Sequence, residues 1–148
     1  MYLLDTNVVS ELRKARCDAQ VQSWASTQVP ASLFISAITV MELETGILRV
    51  ERRDARQGRL LRLWLEQQVL PSFNGRILAI DTELSRRCAH LHVPDPRSEC
   101  DALIAATALV HGLTVVTRNT QDFQHCRVPV LNPWISQLHE DRPGYSSI

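Results

Sequence analysis

The sequence predicts an α/β fold, a three-layer α/β/α sandwich around a central parallel sheet. Two observations lead to this prediction. Short aliphatic runs recur along the chain, and each is apolar throughout instead of alternating, which is typical of strands buried on both faces. The segments between these runs have helical spacing and are long enough to form the crossovers that parallel strands require.

The aliphatic runs and the helical segments can be placed along the chain. Helices are predicted over residues 40–50 and 59–70, joined as a hairpin by a charged turn, with Gly58 as a break and Pro71 as a stop. Four runs are predicted as strands: residues 2–4, 33–35, 77–80 and 113–116.

The second half of the chain contains the most apolar helical segment. Residues 102–110 are apolar nearly all round, which indicates a buried helix, and Gly112 is expected to cap its C-terminus. We therefore expect a single domain over residues 1–135. Residues 136–148 offer little to bury and are predicted to form a loose C-terminal tail.

Composition limits the class of protein. The 148 residues are 45% hydrophobic and 22% charged, which suits one globular domain. No apolar run approaches the roughly 20 residues of a membrane span, and no signal peptide is apparent, so a cytoplasmic protein is expected. The four cysteines are scattered, which indicates reduced thiols. A zinc site from Cys88, His90, His92 and Cys100 is an alternative, but it lacks the usual paired two-residue spacing.

The charges are balanced overall but unevenly distributed. Acidic and basic residues number 16 each, giving a formal net charge of zero. One stretch is strongly basic, with only Glu51 and Asp54 in opposition, and can form a local positive surface for nucleic acid. The alternative is an ordinary solvated face of the predicted hairpin. The stretch contains six arginines: Arg49, Arg52, Arg53, Arg56, Arg59 and Arg62.

Four acidic residues are predicted to share one edge of the sheet. Asp5 follows the first strand, Glu42 lies early in the helix after the second, Asp101 opens the buried helix, and Asp122 follows the last strand. In an open parallel sheet, reactive groups collect where the carboxyl ends of the strands meet the following loops. The four acids are therefore expected to meet.

Each acid taken singly also has a structural explanation. Asp5 can cap a helix starting near Asn7, and the other three each end a pattern typical of helix N-termini. Four acids recurring at one end of the sheet are not required by capping, which favours a common site. The three patterns are Thr39-x-x-Glu42, Ser98-x-x-Asp101 and Asn119-x-x-Asp122.

A cluster of carboxylates needs a cation. Two carboxylates about 4 Å apart repel by roughly 4 kcal/mol at an effective dielectric of 20, so converging acids take up protons or bind metal. Oxygen ligands suit Mg²⁺ or Mn²⁺. Such an ion lowers the pKa of a bound water, orients a phosphate and stabilises the leaving oxygen, so phosphodiester hydrolysis is the predicted chemistry.

Four motifs taken in order resemble the PIN-domain ribonucleases, and within them the VapC/FitB-type toxins of bacterial toxin-antitoxin pairs. The resemblance covers residues 1 to about 135 and includes Leu131-Asn132-Pro133-Trp134 near its end. The motifs are Leu3-Leu4-Asp5-Thr6-Asn7, Thr39-Val40-Met41-Glu42-Leu43-x-x-Gly46, Asp101-Ala102-Leu103-Ile104-Ala105-Ala106-Thr107-Ala108, and Thr117-Arg118-Asn119-x-x-Asp122-Phe123.

The resemblance implies roles for individual residues. Asp5, Asp101 and Asp122 would ligate Mg²⁺ or Mn²⁺ directly or through water, and Glu42 would complete the acidic pocket. Further side chains would orient these ligands or the substrate phosphate: Thr6, Asn7, Thr117 and Asn119. The family also implies RNA cleavage, a small DNA-binding antitoxin, and a homodimer or a higher toxin-antitoxin assembly. The loop over residues 92–99 departs from the family pattern and puts the shape of the groove in question.

The residues leave several competing interpretations open. Asp81 also follows a strand, but we interpret it as the cap of a helix starting at Thr82. A phosphatase with Asp5 as nucleophile would need an acid at position 7, where Asn7 stands. Three more candidate functions are a DNA-directed nuclease, a housekeeping nuclease outside any toxin pair and a non-catalytic nucleic-acid-binding module.

Overall fold

Five short strands form one sheet that is parallel throughout, in the order β3-β2-β1-β4-β5. This is a computed structural model, and it describes residues 1–135; the predicted tail lies outside the described residues. The predicted parallel sheet is confirmed, although β3 is shorter than expected and β5 was not predicted. The strands are β1 Tyr2–Leu4, β2 Leu33–Ser36, β3 Ile77–Leu78, β4 Thr114–Val116 and β5 Val130–Leu131.

Helices connect the strands and cover both faces of the sheet. A π-helical turn over Leu65–Val69 and 3₁₀ turns over Pro30–Ser32 and Thr120–Phe123 complete the elements. Among the described helices, none is long and apolar enough to cross a membrane. The α-helices are α1 Thr6–Arg13, α2 Ala19–Ser26, α3 Ala37–Arg53, α4 Ala55–Trp64, α5 Leu70–Ser72, α6 Thr82–Leu91 and α7 Glu99–His111.

Alternate side chains of the central strands divide the core into two halves. Leu3 and Val115 pack with residues of α7 on one face of the sheet. Leu4 and Val116 pack with residues of α1 and α3 on the other face. Because successive strand residues point to opposite faces, two helical layers enclose the sheet. The predicted α/β/α sandwich is therefore confirmed.

The carboxyl ends of β1 and β4 lie side by side and position the loops that follow. The backbone N–H of Asp5 donates to the carbonyl of Val116 at 2.9 Å, which extends the ladder one residue beyond β1. Asp5 and Thr117 therefore leave the sheet at neighbouring points. This arrangement brings the loops after β1 and β4 to one edge, where reactive groups of parallel sheets collect.

Two predicted helix ends are confirmed. Gly112 ends α7 in the left-handed conformation, with φ 67°, and its N–H donates to the carbonyl of Ala108. The Asp81 side chain caps α6 by accepting from the N–H of Leu84 at 2.9 Å. Asp81 therefore has a structural role, as we interpreted it from the sequence.

The predicted hairpin of α3 and α4 forms, but its boundaries were wrong. The break between the helices lies at Asp54, whose extended backbone and side chain cap α4, and Gly58 lies inside that helix. A Cβ on Gly58 would be 2.7 Å from the Cα of Glu51, so this glycine allows close packing. Pro71 does not end the helix where predicted, because the helical run passes from the π-helical turn into α5 and ends at Ser72, one residue beyond Pro71.

The two helical glycines of this hairpin predict opposite effects on stability. Gly58→Ala should lower the free energy of unfolding by about 1–3 kcal/mol, because the added methyl overlaps the α3 backbone at Glu51. Gly46→Ala is the matched control: nothing lies within 4 Å of its would-be Cβ, so it should gain about 0.5–1 kcal/mol. Urea denaturation of both variants measures this, and equal shifts would contradict the packing described.

Candidate active site

Asp5 is the most buried of the four predicted acids, with 6% of its surface exposed. Its Oδ1 accepts from the N–H of Thr6 at 2.8 Å, so it also caps α1. Its Oδ2 accepts from Thr117 Oγ1 at 2.8 Å and Asn7 Nδ2 at 3.3 Å. Burial raises the pKa of Asp5 and the charge of Asp122 raises it further, whereas the hydrogen bonds oppose this.

Hydrogen bonds join the start of α1 to the loop after β4, and this network surrounds the Asp5 carboxylate. The hydroxyl of Thr117 is fully buried and accepts from Asn7 Nδ2 at 3.2 Å and from the Asn119 N–H at 3.0 Å. Asn7 Oδ1 accepts from the Arg118 N–H at 3.2 Å. Asn7 and Thr117 therefore orient the Asp5 carboxylate. Asn119 contributes through its backbone, so an orienting role for its side chain stays a prediction.

The Glu42 side chain is tied to the first residue of α1 by a hydrogen bond and is not part of a helix cap. Thr6 Oγ1 donates to Glu42 Oε1 at 2.7 Å and lies 3.3 Å from Thr39 Oγ1. The helix that holds Glu42 is capped by Ser36, whose hydroxyl accepts from the Ile38 N–H at 3.0 Å. The capping pattern at Thr39 was therefore the wrong explanation for Glu42.

Asp101 lies in the first turn of α7, and the charges of the other three acids act on it. Burial raises its pKa to about 6, helped in decreasing order by the charges of Asp122, Asp5 and Glu42. The charges of the other three predicted acids therefore all act on Asp101. Ser98 is the N-cap residue of this helix, and although its side chain caps no helix N–H, its hydrogen bond to Asp101 opposes the rise in pKa, so Asp101 is also tied to the start of α7.

Asp122 is the most exposed of the four. It lies in the 3₁₀ turn after β4, where the following residue, Phe123, is buried to 1% exposure and anchors the turn in the core. Asn119 precedes this turn and gives it no side-chain cap, so capping does not account for Asp122 either. The Asp122 side chain is therefore exposed to solvent on a turn that buried Phe123 holds in place.

None of the four carboxylates forms a salt bridge within residues 1–135, where the ion pairs involve Glu11, Glu44 and Glu51 instead. In this part of the chain, no three His, Cys, Asp or Glu side chains are close enough to enclose one ion. Mg²⁺ does not require such a cage, since it usually keeps several waters and takes one or two carboxylates. A cluster of unneutralised oxygen donors fits that mode of binding.

The zinc alternative finds no support in the described residues. Cys88 is buried, with its Sγ 3.8 Å from His92 Nε2, whereas His90 is exposed. The second ring nitrogen of His92, Nδ1, accepts from the N–H of Arg97 at 3.1 Å, so this histidine holds the loop before α7. A histidine therefore holds the loop that departs from the family pattern.

Sequence reasoning missed two residues near this edge. Thr39 is fully buried beside Thr6, and its position became apparent only when α1 and α3 were placed together. The guanidinium of Arg118 lies 5.3 Å from the ring centre of Trp134, a cation–π contact that joins the loop after β4 to the segment after β5. Both residues belong to the four family motifs, but only tertiary structure gives them partners.

The raised pKa of Asp101 predicts a dependence of stability on pH. Without divalent ions, the folded protein holds this proton more tightly than an ordinary aspartate of pKa 3.8. That advantage is complete at low pH and is lost as the pH rises through about 4 to 6. Across this window, the melting temperature of wild type should therefore fall relative to that of Asp101→Asn. If the melting temperatures of the two proteins, measured in chelator, change with pH in the same way, this prediction is contradicted.

Added divalent metal ions should stabilise the folded protein. Millimolar Mg²⁺ or Mn²⁺ at neutral pH should raise the melting temperature of the wild type through ligand linkage. Asp101→Asn should respond less, because it removes one donor from the cluster. A wild-type melting curve indifferent to both ions and to chelator would argue against a metal site.

Comparison with known proteins agrees with this architecture. The family model of the PIN domain matches residues 2–129. The VapC ribonuclease Y4jK of Sinorhizobium fredii is 41% identical over 142 residues, which cover 90% of this chain and 98% of the relative.

Two solved structures share the fold. The crystal structure of FitAcB from Neisseria gonorrhoeae matches with a TM-score of 0.85 and 36% identity, covering 92% of this chain and 100% of that one. A toxin-antitoxin complex from Klebsiella pneumoniae matches with a TM-score of 0.65 and 29% identity, covering 90% and 98%. The extent of these matches, together with the acids at the sheet edge, establishes that the chain belongs to the PIN-domain family.

Proposed function

We propose that this protein is a metal-dependent endoribonuclease, the toxin of a toxin-antitoxin pair, that uses Mg²⁺ or Mn²⁺ to hydrolyse RNA phosphodiester bonds. One observation carries the proposal: three carboxylates act on a fourth, Asp101, at the sheet edge, and none of the four forms a salt bridge within residues 1–135. Such unneutralised negative charge lowers the stability of the folded protein, and binding a divalent cation would offset this cost. The ribonuclease name of the Sinorhizobium fredii relative points to the same chemistry.

Each acid has a role that follows from its support. Asp5 would be a rigidly held metal ligand, because the side chains of Thr117 and Asn7 and the Thr6 N–H fix both of its carboxylate oxygens. When bound, the metal would polarise a water and stabilise the charge on the leaving oxygen. Asp5, Asp101 and Asp122 would hold it directly or through water.

Glu42 has a distinct role in this proposal. Its Oε1 accepts the Thr6 hydroxyl, so one oxygen is committed to positioning and the second remains available. We assign Glu42 to completing the acidic pocket and accepting a proton from a water. Asn119, exposed at the mouth of the site, is a candidate donor to the substrate phosphate.

The partners follow from the relatives. The toxin-antitoxin complex from Klebsiella pneumoniae has this fold, and we propose that the present chain likewise forms a homodimer and binds a small DNA-binding antitoxin. The antitoxin would neutralise the nuclease by occupying the acidic edge. A housekeeping nuclease would have the same site and no such partner.

Cleavage of a mixed RNA pool, with and without chelator, tests the activity. The proposal predicts internal cuts that require Mg²⁺ or Mn²⁺ and disappear with EDTA, with a single-stranded DNA pool left intact. Equal cutting of DNA would favour a DNA-directed nuclease, and absence of cutting of either pool with both ions would contradict the proposal. A short upstream reading frame whose product suppresses the cleavage would favour a toxin over a housekeeping enzyme.

A further inference from the structure

The arginine-rich hairpin of α3 and α4 carries more unpaired positive charge in the structure than its sequence alone indicates. Arg62 donates to Glu44 and Glu51 with its two terminal nitrogens, at 2.5 and 2.9 Å, and Asp54 is used as the cap of α4. These acids therefore serve the contact between α3 and α4. Five exposed arginines have no ion pair or hydrogen bond within residues 1–135: Arg49, Arg52, Arg53, Arg56 and Arg59.

Two of these arginines lie on the same face of α3 as Glu42. At 100° per residue, positions 7 and 11 residues after Glu42 return to within about 20° of its direction. These positions are Arg49 and Arg53, and both are exposed. With a rise of 1.5 Å per residue, they lie about 10 and 16 Å along the helix from Glu42. A line of positive charge thus starts beside the acidic edge.

Gly46 lies on the same line, between Glu42 and Arg49. It is exposed in the middle of a 17-residue helix, and nothing lies within 4 Å of its would-be Cβ. A glycine there costs the helix about 0.5–1 kcal/mol relative to alanine, and no packing in the described residues requires it. A missing side chain on an exposed helical face lets another backbone approach closely.

We propose that this face of α3, from Glu42 past Gly46 to Arg49 and Arg53, is the track on which the RNA substrate lies as it leaves the catalytic edge. Arginine side chains bind the phosphates of a nucleic acid whatever its base sequence. The open surface at Gly46 leaves room for the sugar-phosphate backbone. The proposal rests on the proposed function, to which it adds an extended substrate site. A polyanion is favoured over an acidic protein because the line begins at a site for phosphate chemistry.

The track is tested by binding, so that its failure is distinct from a failure of catalysis. Affinity for a 16-nucleotide single-stranded RNA is measured by fluorescence anisotropy in EDTA. The double variant Arg49→Gln/Arg53→Gln should raise Kd at least about tenfold at low salt. It should also reduce the slope of log K against log salt by about 1.4, since each lost phosphate contact contributes about 0.7. An unchanged Kd and slope would overturn the track.

The matched control is Arg86→Gln/Arg87→Gln. It removes the same charge from exposed positions on α6, which packs with α7 on the opposite face of the sheet from the core of α3. This variant should bind RNA within about twofold of the wild type. An equal loss of affinity in both double variants would show a general charge effect, which contradicts the track.

Gly46→Ala separates binding from stability. It should raise the melting temperature, because alanine favours the helix, and yet weaken RNA binding several-fold, because a methyl group now stands on the track. A more stable variant that binds RNA as the wild type does would contradict the close approach.

The oligomeric state and antitoxin affinity of Arg49→Gln/Arg53→Gln distinguish RNA from a protein on this face. Light scattering should show the wild-type mass. A changed mass with unchanged RNA affinity would assign the face to a second copy of the chain, and lost antitoxin binding with unchanged RNA affinity would assign it to that partner. Either result would replace the RNA track.

Discussion

Asp101→Asn should lower kcat/KM for RNA cleavage by about a thousandfold or more. Asp101 is the carboxylate on which the charges of Asp122, Asp5 and Glu42 converge, so the neutral amide removes a donor where a cation is most needed. Losing one electrostatic contact to a transition state commonly costs about 10²–10³-fold in rate. For the loss of a metal ligand, the decrease in rate should lie at the upper end of that range or beyond it.

The fold should survive this substitution, which makes the result interpretable. Asparagine has almost the same shape and removes repulsion among the four acids, so the melting temperature in chelator should not fall at neutral pH. Asp95→Asn is the matched control, because Asp95 is an exposed acid in the loop before the same helix. It should keep activity within about twofold. Wild-type cleavage by Asp101→Asn would remove Asp101 from the mechanism.

Phe123→Ala should lower the free energy of unfolding by about 3–5 kcal/mol, the usual cost of such a cavity. Phe123 is 1% exposed and packs against residues of the sheet and α7, among them Leu3, Ile104 and Val115. It also anchors the 3₁₀ turn that presents Asp122. The substitution should therefore reduce both stability and cleavage.

Urea denaturation and cleavage measured well below the unfolding transition separate these two effects. Phe123→Leu is the control, since it retains most of the apolar volume and should lose less than about half as much stability. A Phe123→Ala variant that loses under about 1 kcal/mol would contradict the anchoring role. One that is destabilised but cleaves normally would show that Asp122 is positioned by different contacts.

The sheet and its acids were predictable because their signals are local. Buried parallel strands such as residues 2–4 and 114–116 appear as continuous apolar runs, and Asp5 follows its strand directly. Chain order then places Asp101 and Asp122 at the same edge, because connections in such folds return there. The four acids could thus be grouped before any distance was known.

Features that depend on contacts between distant segments were not predictable. Gly58 looked like a helix break, but it is required where α4 packs on Glu51. Thr39 looked like a cap, but it is buried beside Thr6, 33 residues away. The two residues of β5 have too few positions to give a pattern, since their pairing with β4 defines them as a strand. Tertiary contacts outweigh local propensity in each case.

We propose that the four carboxylates form one divalent metal site. Titration of the protein with Mn²⁺, followed by electron paramagnetic resonance of the free ion, tests this most directly. Wild type should bind Mn²⁺, and the binding should be weakened at least about tenfold in Asp5→Asn and Asp101→Asn and unchanged in Asp95→Asn. Mn²⁺ binding that is the same in the wild type and in all three variants would contradict the account.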